Sequence, residues 1–313
     1  MDFTKRLHKI AKTFNKSTLL EKLVYITGLA LVFVIITNCT RGNMEGFQDN
    51  NTSEFIFKEG IDIYDGFYAE IYDLLLFNHN KNVFEVSGIM DTITIPKNSK
   101  ILDIGSGTGH HVDMFKKYGQ QAEGIDISHS MIKKSLEKYP NNKYIHGDFM
   151  KNNTLTPSSY SLITCLYFTI YYIKNKKQFF EKCYDLLTPN GYLAIHLVDR
   201  NNFDPIIPAG DPLVIISAQS YAKKRITDTE VEFDTHNYKS NFELVTDDQA
   251  VMHETIKNKK TGSVRKHEHK FYMSSQKKIL SIAKTAGFIL EAQIHMLPCN
   301  YDNQYIYILR RPN

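Results

Sequence analysis

Hydrophobic and polar positions along the chain change period several times, and each change marks a boundary. Leu23 to Thr40 runs eighteen residues without a charge, close to the length of about 20 apolar residues that crosses a bilayer. Upstream, Phe3, Leu7, Ile10 and Phe14 recur at helical spacing among lysines, the pattern of a basic amphipathic helix at a membrane surface. A polar, asparagine-rich stretch from Gly42 to Glu54 follows. Beyond Glu59 the period turns helical, and Tyr64, Phe67, Tyr68, Ile71, Tyr72 and Leu75 share one face. A second helix is predicted from Val83 to Thr92, and Pro96-Lys-Asn-Ser99 turns the chain into a strand.

From Ile101 onward, short apolar runs alternate with amphipathic helical stretches. Strands are predicted at Ile101–Ile104, Gln121–Asp126, Lys143–Asp148, Ser161–Leu166 and Tyr192–Val198, with helices at 110–118, 128–139 and 175–187 between them. Such alternation predicts an α/β fold with a mainly parallel, doubly wound sheet and helices on both faces. Residues 200–273 break the rhythm. Their period-2 stretches, with Lys259-Lys-Thr-Gly-Ser263 as a hairpin turn, predict an antiparallel insert beside the ligand. A helix from Ser275 to Ala286 and strands at 288–296 and 304–309 close the domain. The expected organisation is a basic segment at 1–22, a transmembrane helix at 23–40, a linker at 41–58 and the main α/β domain at 59–313.

Charge sharpens that division. The formal net charge is +4, and residues 1–40 already carry it through Lys5, Arg6, Lys9, Lys12, Lys16 and Lys22 against Asp2 and Glu21. The remainder is close to neutral, which gives no electrostatic case for nucleic acid. Basic residues before the apolar run put the N-terminus on the cytoplasmic side of a single-pass membrane protein and the domain across the membrane, an orientation at odds with a cytoplasmic cofactor. Cys39, Cys165, Cys183 and Cys299 are scattered without metal-binding spacing, so no metal is expected.

The chemistry concentrates in Ile101-Leu-Asp-Ile-Gly-Ser-Gly-Thr-Gly-His-His111. A buried strand that ends in glycines and feeds a helix places backbone N–H groups beside a ligand. The spacing Gly105-x-Gly107-x-Gly109 differs from the dinucleotide fingerprint, and no lysine follows as in a triphosphate loop. Asp103-Ile-Gly-Ser-Gly-Thr-Gly109, Gly124-Ile-Asp-Ile-Ser128, Gly147-Asp-Phe149 and Leu187-Thr-Pro-Asn-Gly-Tyr-Leu193 together resemble the class I S-adenosylmethionine-dependent methyltransferases of small-molecule type.

That resemblance implies a Rossmann-like seven-stranded sheet and S-adenosylmethionine as cofactor. It also implies roles. Gly105, Gly107 and Gly109 admit the methionine and ribose, Asp103 meets the methionine ammonium, and Asp126 takes the ribose hydroxyls. Asp148 and Phe149 serve the adenine, and Ile127 and Leu166 complete the binding set. The acceptor is expected to be a small or lipid-like molecule methylated at O, N or S. Candidates for contact or proton removal are Tyr68, Tyr167 and His196, with Tyr72, Tyr171, Tyr172 and Asp199 nearby. The adjacent His110 and His111 point about 100° apart on a helix and are taken as incidental. A competing possibility is a catalytically idle domain of the same fold that serves as an interaction module.

Overall fold

The computed structural model describes Thr18, Glu21, Lys22, residues 55–206 and residues 218–313. The predicted amphipathic segment, apart from those three residues, and the transmembrane helix at 23–40 lie outside the described residues. Among the described residues no helix is long and apolar enough to cross a membrane. The chain divides into two units, Met1–Thr52 and Ser53–Asn313. In the first, the Thr18 and Glu21 side chains each accept from the other's backbone N–H, at 3.4 and 2.8 Å. This reciprocal pair opens a helix as a capping box does.

The second unit is built on a seven-stranded sheet. Its strands are β2 (Lys100–Ile104), β3 (Gln121–Asp126), β4 (Lys143–His146), β5 (Tyr160–Cys165), β6 (Leu187–Val198), β11 (Ile289–His295) and β12 (Gln304–Arg310). Their order is β4-β3-β2-β5-β6-β12-β11. The first five run parallel, and β12 enters antiparallel between β6 and β11. The order reverses direction beside β2, which creates the crevice at the strand ends where ligands of open α/β sheets bind. Side chains alternate across the sheet: Leu102, Ile163 and Ile195 enter one apolar core, while Ile101, Leu162 and Ala194 enter the other.

Helices α1 (Gly66–Leu76) and α2 (His79–Thr92) precede the sheet. The helices α3 (His110–Lys117), α4 (His129–Lys138), α5 (Thr169–Tyr172), α6 (Lys176–Leu186) and α7 (Gln276–Thr285) connect its strands. Local chemistry sets their starts. Asp65, Asn78, Ser128, Asn175 and Ser275 each accept a backbone N–H in the first turn, a contact worth roughly 1 kcal/mol apiece. The predicted second helix begins four residues early, at His79, because Asn78 caps it there.

The insert is a separate five-stranded sheet. Strands β7 (Asp228–Glu232), β8 (His236–Thr246), β9 (Gln249–Asn258) and β10 (Val264–Phe271) form an antiparallel meander, with the expected turn at 259–263. Its fifth member is β1 (Phe55–Glu59), which pairs in parallel with β10. Residues 55–58 are therefore strand, not linker, a correction to the boundary at 58. β1 covers the edge of β10, and Lys259 and Lys270 pair with Glu232 and Glu59 at 2.7 Å each. Phe242, Ala250 and Phe271 carry the insert into the same core as Leu102 and Ile163.

Candidate active site

The loop after β2 passes Gly105, Gly107 and Gly109 at φ of 69°, 52° and 86°, backbone that L side chains rarely adopt. Close approach adds a second demand at Gly105, where a Cβ would stand 2.5 Å from the Thr169 side chain. Asp103, at the end of β2, is 2% exposed. It accepts a 2.6 Å bond from Thr164 Oγ1 on Oδ1, and among the described residues Oδ2 has no hydrogen-bond partner. Burial pushes its carboxyl above the usual range, so a cation arriving there would be held strongly. Asp126 accepts from Gly107 N at 2.9 Å and from Ser128 N at 2.8 Å. It therefore pins the glycine loop as well as ending its strand.

Asp103, the loop from Gly105 to Thr108, Leu166 and Tyr167 line one cavity together with Tyr72, Lys81, His110 and His111. The two histidines are not incidental. His110 bridges Asp73 of α1, at 3.1 Å, and the Tyr139 hydroxyl, at 2.7 Å. His111 lies 2.8 Å from Glu85 of α2, which also pairs with Lys81 at 2.9 Å. Burial would raise the Glu85 carboxyl, but Lys81 and His111 outweigh it and hold it at about 2. The N-terminal helices are thus clamped to the start of α3 by these polar contacts. Ile127 is exposed at the end of β3. Asp148 accepts from Met150 N at 2.9 Å, the turn-forming contact its type favours. Phe149 is buried and packs edge-on against Phe179.

A second cavity opens beside the first, with about 720 Å³ of space unfilled by protein atoms, including part open to solvent. Tyr64, Tyr68, Tyr72, Tyr167 and Tyr172 line it, with His269, Phe271 and Gln304. Tyr72, Leu76, Tyr167 and Thr169 belong to both walls. Tyr167 sits at φ 52°, a strained backbone for a bulky residue, held just past β5 where the two cavities meet. Burial pushes the hydroxyls of all five tyrosines well above the ordinary phenol value. They are neutral hydrogen-bonding groups, not ready bases.

Of the three residues expected at the chemistry, Tyr68 and Tyr167 reach the cavity and His196 does not. His196 is fully buried in β6, and neither ring nitrogen is hydrogen-bonded; the Gln304 side chain and Tyr167 backbone approach without bonding geometry. Burial lowers it to about 4, which leaves a neutral core imidazole. Tyr171 accepts from Val198 N at 2.8 Å and locks the end of β6. Asp199 accepts from Asn201 N and Asn202 Nδ2 in the next turn. Both are structural.

Behind the tyrosine wall lies a cluster the sequence reading missed. Glu254 on β9 stands opposite His267 on β10, and His269 follows two residues on, so all three share one sheet face. Glu254 Oε1 accepts from the Tyr68 and Tyr238 hydroxyls, at 3.1 and 2.6 Å. Oε2 lies 2.8 Å from His269 Nε2 and 3.2 Å from His267 Nδ1. The Tyr172 hydroxyl meets His269 Nδ1 at 2.7 Å, and Tyr64 donates to Tyr172 at 2.8 Å. Burial would raise the Glu254 carboxyl, but the imidazoles and Tyr238 outweigh it and hold it well below its ordinary value. The available signal was His267-x-His269 on a predicted strand, a spacing that puts both rings on one face.

Residues 102–195 match the family model described as a methyltransferase domain. That stretch runs from β2 to β6 and holds the glycine loop. Two curated relatives are similar to part of the chain. The phosphoethanolamine N-methyltransferase of Plasmodium falciparum is 32% identical over 159 residues, covering 47% of this chain and 56% of that protein. A dTDP-3-amino-3,4,6-trideoxy-alpha-D-glucopyranose N,N-dimethyltransferase of Streptomyces venezuelae is 26% identical over 119 residues, covering 37% and 49%. The chain thus spans about half the length of these curated relatives. Among solved structures, an S-adenosylmethionine-dependent methyltransferase from Clostridium acetobutylicum shares the fold, with a TM-score of 0.60 at 15% identity over 79% of this chain and 98% of that one.

The residues of the first cavity fit S-adenosylmethionine. The free Oδ2 of buried Asp103 suits the methionine ammonium. Asp126 retains acceptor capacity beyond its two amide bonds for ribose hydroxyls. Lys81, on the same cavity wall, would supply a positive charge for the methionine carboxylate. When bound, the sulfonium supplies a methyl group activated for nucleophilic displacement.

Proposed function

We propose that the chain methylates the nitrogen of a small amine held in the tyrosine-lined cavity. The carrying observation is the shared wall: Tyr72, Tyr167 and Thr169 border both the cofactor cavity and the acceptor cavity. An acceptor on one side therefore faces the methyl group on the other, and methyl transfer needs that alignment above all. The chemistry of the wall favours nitrogen. Buried, neutral phenols make poor bases for activating a hydroxyl, whereas a free amine brings its own lone pair. Aromatic faces also attract the cationic product and its ammonium precursor. The names of the two curated relatives, both N-methyltransferases, point the same way.

The test is incubation of the full chain with methyl-labelled S-adenosylmethionine and a panel of amines, including phosphoethanolamine and a nucleotide-linked amino sugar. Label on nitrogen supports the reading; label confined to oxygen or sulfur acceptors overturns it, and no transfer to any acceptor favours the idle interaction module. We propose in addition that Leu23–Thr40 tethers the enzyme to a membrane, on the strength of its eighteen uncharged residues. Release of the chain by alkaline carbonate washing of membranes would sink the tether.

A further inference from the structure

We propose that Glu254, His267 and His269 form a binding site for a divalent transition-metal ion of zinc type, set in the wall of the acceptor cavity. The three side chains offer one ligand atom each within 4.8 Å of one another, and all three are buried. Two imidazoles and a carboxylate make a donor set that suits zinc and its first-row neighbours. The backbone prearranges them. The two histidines alternate along β10 on one face, and Glu254 is the direct cross-strand partner of His267.

The surroundings match what such an ion needs. A fully buried carboxylate requires a counter-charge; the His267 and His269 rings face Glu254, and an ion on the same three ligand atoms would supply that charge. The outer oxygen of Glu254 is held by the Tyr68 and Tyr238 hydroxyls, and the far nitrogen of His269 by Tyr172. Partners of this kind fix the orientation of metal ligands. The present separations of 2.8 and 3.2 Å between carboxylate oxygen and ring nitrogens must widen slightly to admit an ion with bonds of about 2.0–2.2 Å.

Three protein ligands leave a fourth position of a tetrahedral ion for water or substrate. Tyr68 and His269 both touch Glu254 and both line the acceptor cavity. The ion would therefore lie directly behind that wall, where an oxygen of the acceptor is its natural fourth ligand. Methyl transfer itself consumes no metal. The ion's role would be to orient a hydroxyl, phosphate or carboxylate of the acceptor.

The experiment counts metal. Full-length protein is stripped with chelator, dialysed against Zn²⁺ and assayed by elemental mass spectrometry, with Co²⁺ substitution followed by its visible absorption. The expected result is about one Zn²⁺ per chain, falling at least tenfold in Glu254→Gln and in His269→Gln. Wild-type protein without saturable Zn²⁺ or Co²⁺ binding overturns the proposal, as does a variant that keeps the full complement. Should the variants fail to fold by circular dichroism, the wild type decides alone: its melting temperature must rise with Zn²⁺, because an ion that binds only the native state stabilises it. S-adenosylmethionine titration of the same samples separates this outcome from the fate of the methyltransferase reading, since cofactor binding does not depend on the cluster.

Discussion

On the proposed function, the cofactor half and the acceptor half of this domain are built by opposite means. The cofactor half depends on one contiguous loop, Asp103 to Gly109, positioned by the end of β2 and pinned by Asp126 nineteen residues after Gly107. The acceptor half is assembled from places far apart in the chain: Tyr68 meets Glu254 across 186 residues, and Tyr172 meets His269 across 97. A contiguous loop tolerates no change in its backbone, whereas a dispersed wall can lose one member and keep its shape. The first arrangement is rigid in identity, the second in sum.

That contrast yields predictions in order of size. Gly105→Val should reduce S-adenosylmethionine affinity by about thirtyfold or more, since it adds backbone strain to a clash with Thr169, each costing about 1–3 kcal/mol. Calorimetric titration checks this, and binding within tenfold of wild type would show that the loop is not the cofactor cradle. The next effect falls on the clamp between the halves. Glu85 has its folded carboxyl depressed from 4.5 to about 2, so its contribution is present above pH 4.5 and is lost as pH falls toward 2. The loss is about 3 kcal/mol. Denaturant unfolding across that window should show the decline, and Glu85→Gln should flatten it.

On the acceptor side, Tyr172→Phe deletes the hydroxyl that links Tyr64 to His269. It should raise the acceptor KM about five- to tenfold, the worth of one buried hydrogen-bonding group, and leave cofactor affinity unchanged. A matching loss of cofactor affinity would erase the distinction between the halves. The smallest effect is expected at His196→Leu. That residue makes no hydrogen bond and lines neither cavity, so turnover should change less than about twofold and stability should hold or rise. A large fall in turnover would return His196 to the chemistry.

The same contrast explains what could be read without coordinates. Glycines spaced two apart after a buried strand carry their geometry within seven residues, so the strand-to-helix turn from Asp103 to Gly109 was legible, as was the alternation that orders the sheet. An apolar ring beside a turn acid, as at Phe149, looks alike whether it faces a ligand or Phe179. His196 failed for a similar reason, since strand period shows burial but not which neighbours fill the space. The Glu254 cluster was invisible because cross-strand register brings together residues separated by a hairpin. β1 was hidden in a polar context, and only its pairing with β10 makes it a strand.

That last pairing has a consequence for handling the protein. β10 carries both histidines of the cluster, and β1 satisfies the backbone along Val264 to Glu268. A chain shortened to begin at Gly60, the natural cut if residues up to 59 were dismissed as a spacer, would leave that row of donors and acceptors bare. Bare strand backbone recruits other strands, so such a fragment should self-associate. A cut at Ser53 would spare the pairing and keep the fragment monodisperse.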